Sequence, residues 1–153
     1  FRNDLVLGNA LVDMYAKCRR VNEARLVFDR MPLRNVVSET SMVCGYARAA
    51  SVKAARLMFS NMMENNVVSW NALFAGYTQN GENEEAVRLF LLLKGDSIWP
   101  THYIFGNLLN ACAKNLADLK LRRQAYTHIL KHGDFGSSLE KNLIFLWGIL
   151  SLT

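Results

Sequence analysis

Polar side chains recur along this chain at a fixed interval, and the chemistry they offer is hydrogen bonding. Asn9, Thr40 and Asn71 are evenly spaced, and Asn35 and Asn66 are separated by the same interval. An amide carries both a donor and an acceptor, and a hydroxyl carries a rotatable donor with acceptor lone pairs. Judged by residue type alone, Asn9 and Asn71 are favoured as helix N-caps, because Asn is a preferred cap and both stand near a predicted helix start.

The cysteines and histidines do not form a pattern typical of a metal or redox site. Cys18, Cys44 and Cys112 lack a CxxC spacing, so we expect small core residues in a reducing compartment. His128 and His132 are four positions apart, but no HExxH motif or carboxylate in register accompanies them. The sequence has no glycine-rich phosphate loop and no Ser/His/Asp arrangement that its spacing would single out. We therefore expect no cofactor, no metal and no enzyme activity.

These polar positions are part of a longer repeat that runs through the chain. Residues at the same position of successive repeats are called a column. Tyrosines, alanines and phenylalanines keep the same interval: Tyr15, Tyr46 and Tyr77; Ala24, Ala55 and Ala86; Phe28, Phe59 and Phe90. Downstream the step lengthens, as from Leu73 to Leu108. The stretch 67–101 has the pattern of two short amphipathic helices joined at Asn80-Gly81. One such hairpin cannot bury both of its faces, so the repetition predicts an all-α solenoid of stacked helical hairpins.

The predicted solenoid has about four repeats and a partial fifth. We predict units at 5–35, 36–66, 67–101 and 102–136, a polar linker, and the truncated start of a fifth unit at 143–153. Helices are expected near 9–18, 21–31, 38–47, 52–63, 103–114 and 118–131, with the remaining pair in the third unit. No strand pattern occurs in the sequence, and the apolar run 143–152 is too short to span a bilayer, so we expect no membrane partner.

Composition agrees with a folded, mildly basic chain. Hydrophobic residues make up 51% and charged residues 20% of the 153 positions, and the formal net charge is +5. A basic balance favours a polyanionic partner, although here the charge is spread along the chain rather than clustered. The chain begins at Phe1 without an initiator Met, signal peptide or transit peptide, so we expect it to be part of a longer protein.

Four segments resemble the pentatricopeptide repeat proteins of plants: GNALVDMYAKC, NEARLVFDRMP, NVVSWNALFAGYTQNG and FGNLLNACAKNLADLKL. The mixed unit lengths, two shorter units followed by two longer ones, resemble the short, standard and long repeats of the PLS subclass. The resemblance covers about residues 3–133. It implies a right-handed superhelical solenoid that binds single-stranded RNA, one base per repeat, in organellar RNA processing or C-to-U editing. A mitochondrial or chloroplast location is implied as well, with an RNA-editing deaminase or editing-complex proteins as further partners.

The resemblance also assigns roles to individual residues. Apolar residues near the start of each unit would pack against base faces: Val6, Val37, Val68 and, less typically, Tyr103. The polar columns would read the base edge in pairs: Asn9 with Asn35, Thr40 with Asn66, and Asn71 with Thr101. These pairs imply C, A and a pyrimidine in turn, and Gly106 leaves the fourth unit without a reader. Lys17, Arg48 and Lys114 end first helices, where a cation suits the helix dipole; phosphate contact is the alternative role for them.

Several positions depart from the repeat pattern, and two other functions stay open. Glu39 replaces the tryptophan of the Trp70 column, Arg19 stands in the column of Gly81, and Arg122 aligns with the small residue Ala86. Residues 143–153 follow the next repeat only loosely. The sequence lacks the H-x-E and P-C-x-x-C motifs of a zinc deaminase. The alternatives are a tetratricopeptide-like scaffold that binds proteins, which the residues from Trp70 to Pro100 partly match, and a diverged fragment without function.

Overall fold

Antiparallel helix pairs form the described part of the chain, which in the computed structural model comprises residues 2–92, 106, 108, 111 and 119–132. Seven helices are bounded within it: α1 Arg2–Lys17, α2 Val21–Arg30, α3 Val36–Arg48, α4 Val52–Ser60, α5 Val67–Gln79, α6 Asn83–Leu91 and α7 Leu119–His132. Residues 106, 108 and 111 are also helical, and no strand occurs among the described residues. The all-α prediction is therefore confirmed.

The two helices of each hairpin are joined by the same left-handed turn. Arg19, Ala50 and Gly81 have φ values of 60°, 59° and 77°. The N–H of the following residue donates across the turn to a tyrosine carbonyl at 2.9 Å in all three cases: Arg20 to Tyr15, Ser51 to Tyr46 and Glu82 to Tyr77. This bonding closes each first helix in a Schellman motif, which favours glycine at the left-handed position. Of these three turns, the third alone has glycine there.

Replacing Ala50 with glycine is expected to stabilise the fold. A side chain in the left-handed region costs about 1–2 kcal/mol, and the greater freedom of glycine in the unfolded chain offsets part of that gain. We therefore expect the free energy of unfolding to rise by about 0.5–1 kcal/mol, measured by urea denaturation. Ala49, with φ −82°, is the matched control. Ala49→Gly should lower stability, and equal effects at the two positions would contradict the turn argument.

The first helices of successive hairpins stack directly on one another, α1 on α3 and α3 on α5. Glycines allow this close approach. A Cβ built on Gly45 would lie 3.0 Å from the Cβ of Ala16, and one built on Gly76 would lie 3.1 Å from the Cβ of Ala47. Small residues therefore face each other at both junctions, where the first helices pack closely.

The repeated apolar columns form the core. Ala24, Ala55 and Ala86 are fully buried, and Phe28, Phe59 and Phe90 are nearly so. Tyr77 is buried as well, whereas Tyr15 and Tyr46 are half-buried against the cluster. Burying an aromatic side chain contributes about 1.5–3 kcal/mol, so these columns account for much of the stability of each hairpin. The assignment of these columns to the core is confirmed, the tyrosines in part.

Glu39 stands where the next repeat has Trp70, and Arg34, from a different position of the repeat, takes the place of the missing aromatic ring. Trp70 packs edge-on against Phe59, with ring centroids 4.6 Å apart. At the preceding junction the guanidinium of Arg34 lies 4.7 Å from the centre of the Phe28 ring, and it donates to the Phe28 and Asp29 carbonyls at 3.0 Å. A guanidinium over an aromatic face is attractive, so Arg34 covers the ring where a tryptophan is lacking. Partial burial raises the pKa of Glu39, against the opposing positive charge of Arg34.

Five expectations from the sequence need correction or fall outside the described residues. Helix α1 begins at Arg2, not near residue 9, and Cys18 is exposed rather than part of the core. Helix α7 buries Ala125, and the side chain of Arg122, which aligns with Ala86, lies outside the described residues. The partial fifth unit at 143–153 and Cys112 also lie outside them.

Candidate nucleic-acid interface

Three exposed valines mark one surface of the stacked first helices. Val37 and Val68 are the second residues of α3 and α5, and Val6 lies in the equivalent column on α1. Their side chains are 64%, 51% and 57% exposed for Val6, Val37 and Val68 in turn. Branched apolar side chains this exposed, repeated at matching points of adjacent helices, are available to contact a flat apolar ligand such as a base face.

Asn35 and Asn66 form side-chain N-caps of the described helices, and Asn9 and Asn71 do not. Each capping side chain accepts a hydrogen bond from the backbone N–H three positions on, Ser38 at 3.1 Å and Ser69 at 2.9 Å. Asn9 lies inside α1, and Asn71 is the fifth residue of α5. The capping interpretation of Asn9 and Asn71 was therefore wrong, because both helices begin several positions earlier than the cap would require.

Thr40 and Asn66, one of the three predicted reading pairs, are in direct contact. The Asn66 amide donates from Nδ2 to Thr40 Oγ1 at 2.8 Å, between residues of neighbouring repeats. Thr40 Oγ1 in turn donates to the carbonyl of Val36 at 2.6 Å. Both side chains are half-buried. The bond joins α3 to the start of α5, and it holds the two polar groups together near the helix starts that carry Val37 and Val68.

The equivalent pair in the first unit is arranged differently. Asn35 forms the same cap as Asn66, but no hydrogen bond joins Asn9 to Asn35 among the described residues. The Oδ1 atom of Asn9 is buried and has no hydrogen-bond partner in the described structure. A buried acceptor without a partner is costly, in contrast to the hydrogen-bonded pair of Thr40 and Asn66.

The third predicted pair is described only in part. Thr101 and the predicted stacking residue Tyr103 lie outside the described residues. Asn71 lines a groove between α3 and α5. Gly106 is helical and exposed, and a Cβ built on it would meet no atom within 4 Å. The position predicted to read a base in the fourth unit therefore has no side chain.

The groove between α3 and α5 places a cation, Arg48, beside Val68 and Asn71. It has a volume of about 270 Å³; α3 lines it with Cys44, Ala47 and Arg48, and α5 with Val68, Asn71, Ala72, Ala75, Gly76 and Gln79. Arg48 forms no ion pair with a carboxylate of the described residues, whereas Lys17 is bound to Asp13 at 2.6 Å. Burial raises the pKa of the Cys44 thiol, with the charge of Arg48 opposing, so the thiol is neutral near pH 7.

Comparison with known proteins identifies the repeat. A PPR repeat model matches residues 9–36 and 40–67, and a PPR repeat family model matches residues 65–114. Together these matches span more than half of the chain. The chain belongs to the pentatricopeptide repeat (PPR) family. A pentatricopeptide repeat-containing protein of Arabidopsis thaliana is 65% identical over 145 residues, covering 95% of this chain and 21% of that protein.

Further PPR proteins of Arabidopsis thaliana are more distant. One named as mitochondrial is 31% identical over 84% of this chain and 12% of its own length, and one named as chloroplastic is 30% identical over 85% and 11%. This chain thus spans about a fifth or less of these relatives. The crystal structure of the PPR protein PPR10 from maize matches with a TM-score of 0.74 and 22% identity, over 94% of this chain and 22% of that chain. That likeness shows the helical solenoid fold.

Two residues of this PPR surface were missed at the sequence level, Ser38 and Ser69. Both side chains are fully buried, and both complete a capping box with the asparagine three positions before. The signal is present as the spacing N-V-V-S at residues 35–38 and 66–69. The repeat boundaries hide it, because they place Asn35 and Asn66 at the ends of units rather than at helix starts.

Other functional sites find little support in the described PPR repeats. No group of three or more potential metal ligands occurs among the described residues. His128 packs edge-on against Phe90, with ring centroids 5.3 Å apart, and the side chain of His132 lies outside the described residues. No described helix is both long and apolar enough to cross a membrane.

Proposed function

We propose that this chain is a recognition module for single-stranded RNA in organellar RNA processing or C-to-U editing, with one base read per repeat. The observation that carries the proposal is the hydrogen-bonded pair of Thr40 and Asn66 between two exposed valine positions. PPR proteins generally bind RNA, and the units 5–35, 36–66, 67–101 and 102–136 are proposed as its PLS-type repeats. Helices α3 and α5 begin at Val36 and Val67, the proposed first residues of the second and third units, which supports those boundaries.

The bonds already formed by Thr40 and Asn66 limit what they can offer a base. The Thr40 hydroxyl hydrogen is directed to the Val36 carbonyl, and the Asn66 Oδ1 atom is directed to the Ser69 N–H. One lone pair on Thr40 Oγ1, one hydrogen on Asn66 Nδ2 and the second lone pair of Asn66 Oδ1 remain. Where the two side chains meet, the pair can therefore accept one hydrogen bond through Thr40 and donate one through Asn66, side by side.

This pattern selects among the four bases. The Watson–Crick edges of adenine and cytosine place an amino donor beside a ring-nitrogen acceptor, and those of guanine and uracil place a carbonyl acceptor beside a ring N–H donor. With the base oriented so that its ring nitrogen faces Asn66 and its exocyclic group faces Thr40, the pair complements the first two and repels the second two. Adenine is proposed at this position, in agreement with the family resemblance. The neighbouring pairs are proposed to read C through Asn9 and Asn35, and a pyrimidine through Asn71 and Thr101.

The test is fluorescence anisotropy with short single-stranded RNAs that contain 5′-C-A-C or the same sequence with C, G or U in the middle. A good pair of hydrogen bonds to a base edge discriminates by about 1–3 kcal/mol, so A should bind at least about fivefold more tightly than G or U. Equal binding of all four RNAs would refute base reading. Failure of the folded chain to bind any RNA would favour the protein-binding scaffold or the diverged fragment.

Arg48 is proposed as a phosphate contact, since it lines the groove beside Val68 and Asn71 without a carboxylate partner among the described residues. Arg48→Gln is expected to weaken binding to every RNA by a similar factor. The slope of log affinity against log salt should fall in magnitude by about 0.7, the value for one phosphate on a single strand. Lys53→Gln, the same charge change at an exposed position of α4 outside the groove, is the control. Equal slopes for both variants would exclude the contact.

The location and partners are proposed on the family alone. A mitochondrial or chloroplast location is supported by relatives named for each organelle. An RNA-editing deaminase or other editing-complex protein is proposed to supply any chemistry, because the chain itself is proposed to be a binding module and not an enzyme. Organelle fractionation of the tagged full-length protein would test the location.

A further inference from the structure

Ser69 lies behind the proposed reading pair and is fully buried. Its backbone N–H donates to Asn66 Oδ1 at 2.9 Å, its hydroxyl donates to the Asn66 carbonyl at 2.9 Å, and the Asn66 N–H donates to that hydroxyl at 3.1 Å. Three bonds therefore hold one asparagine, at its backbone and at its amide oxygen. Ser69 itself is shielded from solvent and cannot contact a ligand on the surface.

These hydrogen bonds determine whether the oxygen or the nitrogen of the Asn66 amide is directed to Thr40. The two ends of an amide have nearly the same shape, so a freely rotating asparagine would offer either a donor or an acceptor. The Ser69 N–H can pair only with the oxygen, which leaves Nδ2 directed to Thr40 at 2.8 Å. The Ser69 hydroxyl holds the Asn66 backbone extended, with φ −117° and ψ 170°, so the side chain leaves the helix start in one direction.

The preceding repeat contains the same arrangement. Asn35 accepts from the Ser38 N–H at 3.1 Å, the Ser38 hydroxyl donates to the Asn35 carbonyl at 2.9 Å, and Ser38 is fully buried. The sequence at the next repeat differs, because Ile104 stands three positions after Thr101. An isoleucine side chain has no group for hydrogen bonding, so it cannot complete a capping box.

We infer that Ser38 and Ser69 are positioning residues for base recognition, each hydroxyl holding the backbone of the asparagine that caps its helix while the serine N–H holds the amide oxygen. The inference rests on the proposed function. Base preference at two repeats is thereby tied to the helix caps of the fold. The third repeat, which ends in Thr101 and is followed by Ile104, is expected to discriminate less between bases than the first two.

The test compares Ser69→Ala with Ser38→Ala on RNAs that vary either the middle or the first base. Removing one buried hydroxyl should lower discrimination by roughly three- to tenfold, as expected for the loss of about one net hydrogen bond. Ser69→Ala should reduce the preference for A over U at the middle base and leave the preference for C over U at the first base unchanged. Ser38→Ala should do the reverse, and Ser69→Thr, which keeps the hydroxyl, should restore the middle preference.

Each outcome either supports or overturns the positioning role. If Ser69→Ala keeps the full preference at the middle base while the parent chain discriminates, the serine is structural only and the proposed function still stands. If it lowers discrimination equally at both bases, the effect is on the fold and the inference fails. If the parent chain binds all middle bases equally, the proposed function itself fails, and the inference with it.

Discussion

Replacing Asn66 with aspartate is expected to invert the base preference at the middle position while the fold is preserved. Aspartate is as good an N-cap as asparagine, and its carboxylate is favoured at the positive end of a helix. One carboxylate oxygen can accept from the Ser69 N–H as Asn66 Oδ1 does at 2.9 Å. The other oxygen replaces Nδ2, so a donor beside Thr40 becomes an acceptor.

A base facing Asp at this position must donate from its ring nitrogen, as guanine and uracil do and adenine and cytosine do not. We expect the preference of at least about fivefold for A over U in the parent chain to become a preference of similar size for U or G. Anisotropy with the four middle-base RNAs measures this directly. The new negative charge also weakens binding to every RNA, so the ratio between RNAs is the informative quantity.

Asn22→Asp is the matched control for that substitution. Asn22 is exposed in the first turn of α2, so the variant adds the same charge near a helix start without touching the proposed reading pair. It should weaken all RNAs equally and leave the preference for A. If Asn66→Asp also keeps the preference for A, then Thr40 and Asn66 do not read the middle base.

The regular spacing of like residues predicted the fold because the residues that recur are the ones that pack in the core. Ala24, Ala55 and Ala86 are fully buried, since a small side chain is required where two helices approach closely. The column Phe28, Phe59 and Phe90 fills the space beside them. When the same residue type recurs at the same position of each repeat, it indicates a shared packing role. The sequence alone was therefore sufficient to predict the stacked hairpins.

The same interval could not separate a helix cap from a residue within the helix. Asn9 and Asn35 recur with equal regularity, yet of the two only Asn35 caps a helix. A cap depends on where the backbone enters the helical region, and α3 and α5 each begin directly after the asparagine that ends the preceding unit. The contact of Asn66 with Thr40 depends in addition on how α3 packs beside α5. The spacing of residues in the sequence does not give the distance between two packed helices.

The sequence also could not show that Arg34 compensates for Glu39, because the two residues occupy different positions of the repeat. Glu39 departs from the repeat pattern because it replaces an aromatic residue with a charge, and a comparison of sequences registers that as a loss for the second unit. The covering of Phe28 by Arg34 comes from a position that carries Asn65 in the next unit. A comparison of Glu39 with Trp70 alone shows only the missing aromatic side chain, because Arg34 reaches the Phe28 ring from a different position of the repeat.

Replacing Gly76 with leucine is expected to cause a large loss of stability at the junction of α3 and α5. Even a Cβ at this position would lie 3.1 Å from the Cβ of Ala47 and 3.4 Å from its Cα. The facing atoms belong to a short side chain and to the backbone, so they cannot move aside as a flexible side chain would. The remaining carbons of leucine can be placed only if the two helices separate.

Overpacking of this kind costs about 1–3 kcal/mol, which should appear as a lower urea midpoint with little change in slope. Gly106→Leu is the matched control, because Gly106 is helical and exposed with no atom within 4 Å of a built Cβ. There the substitution should be neutral or stabilising, since leucine favours a helix over glycine. Separation of α3 from α5 would also pull Thr40 away from Asn66, so Gly76→Leu should lower base discrimination together with stability. Unchanged stability would mean that the close approach of the first helices is not required, and discrimination lost at constant stability would locate the effect in the groove instead.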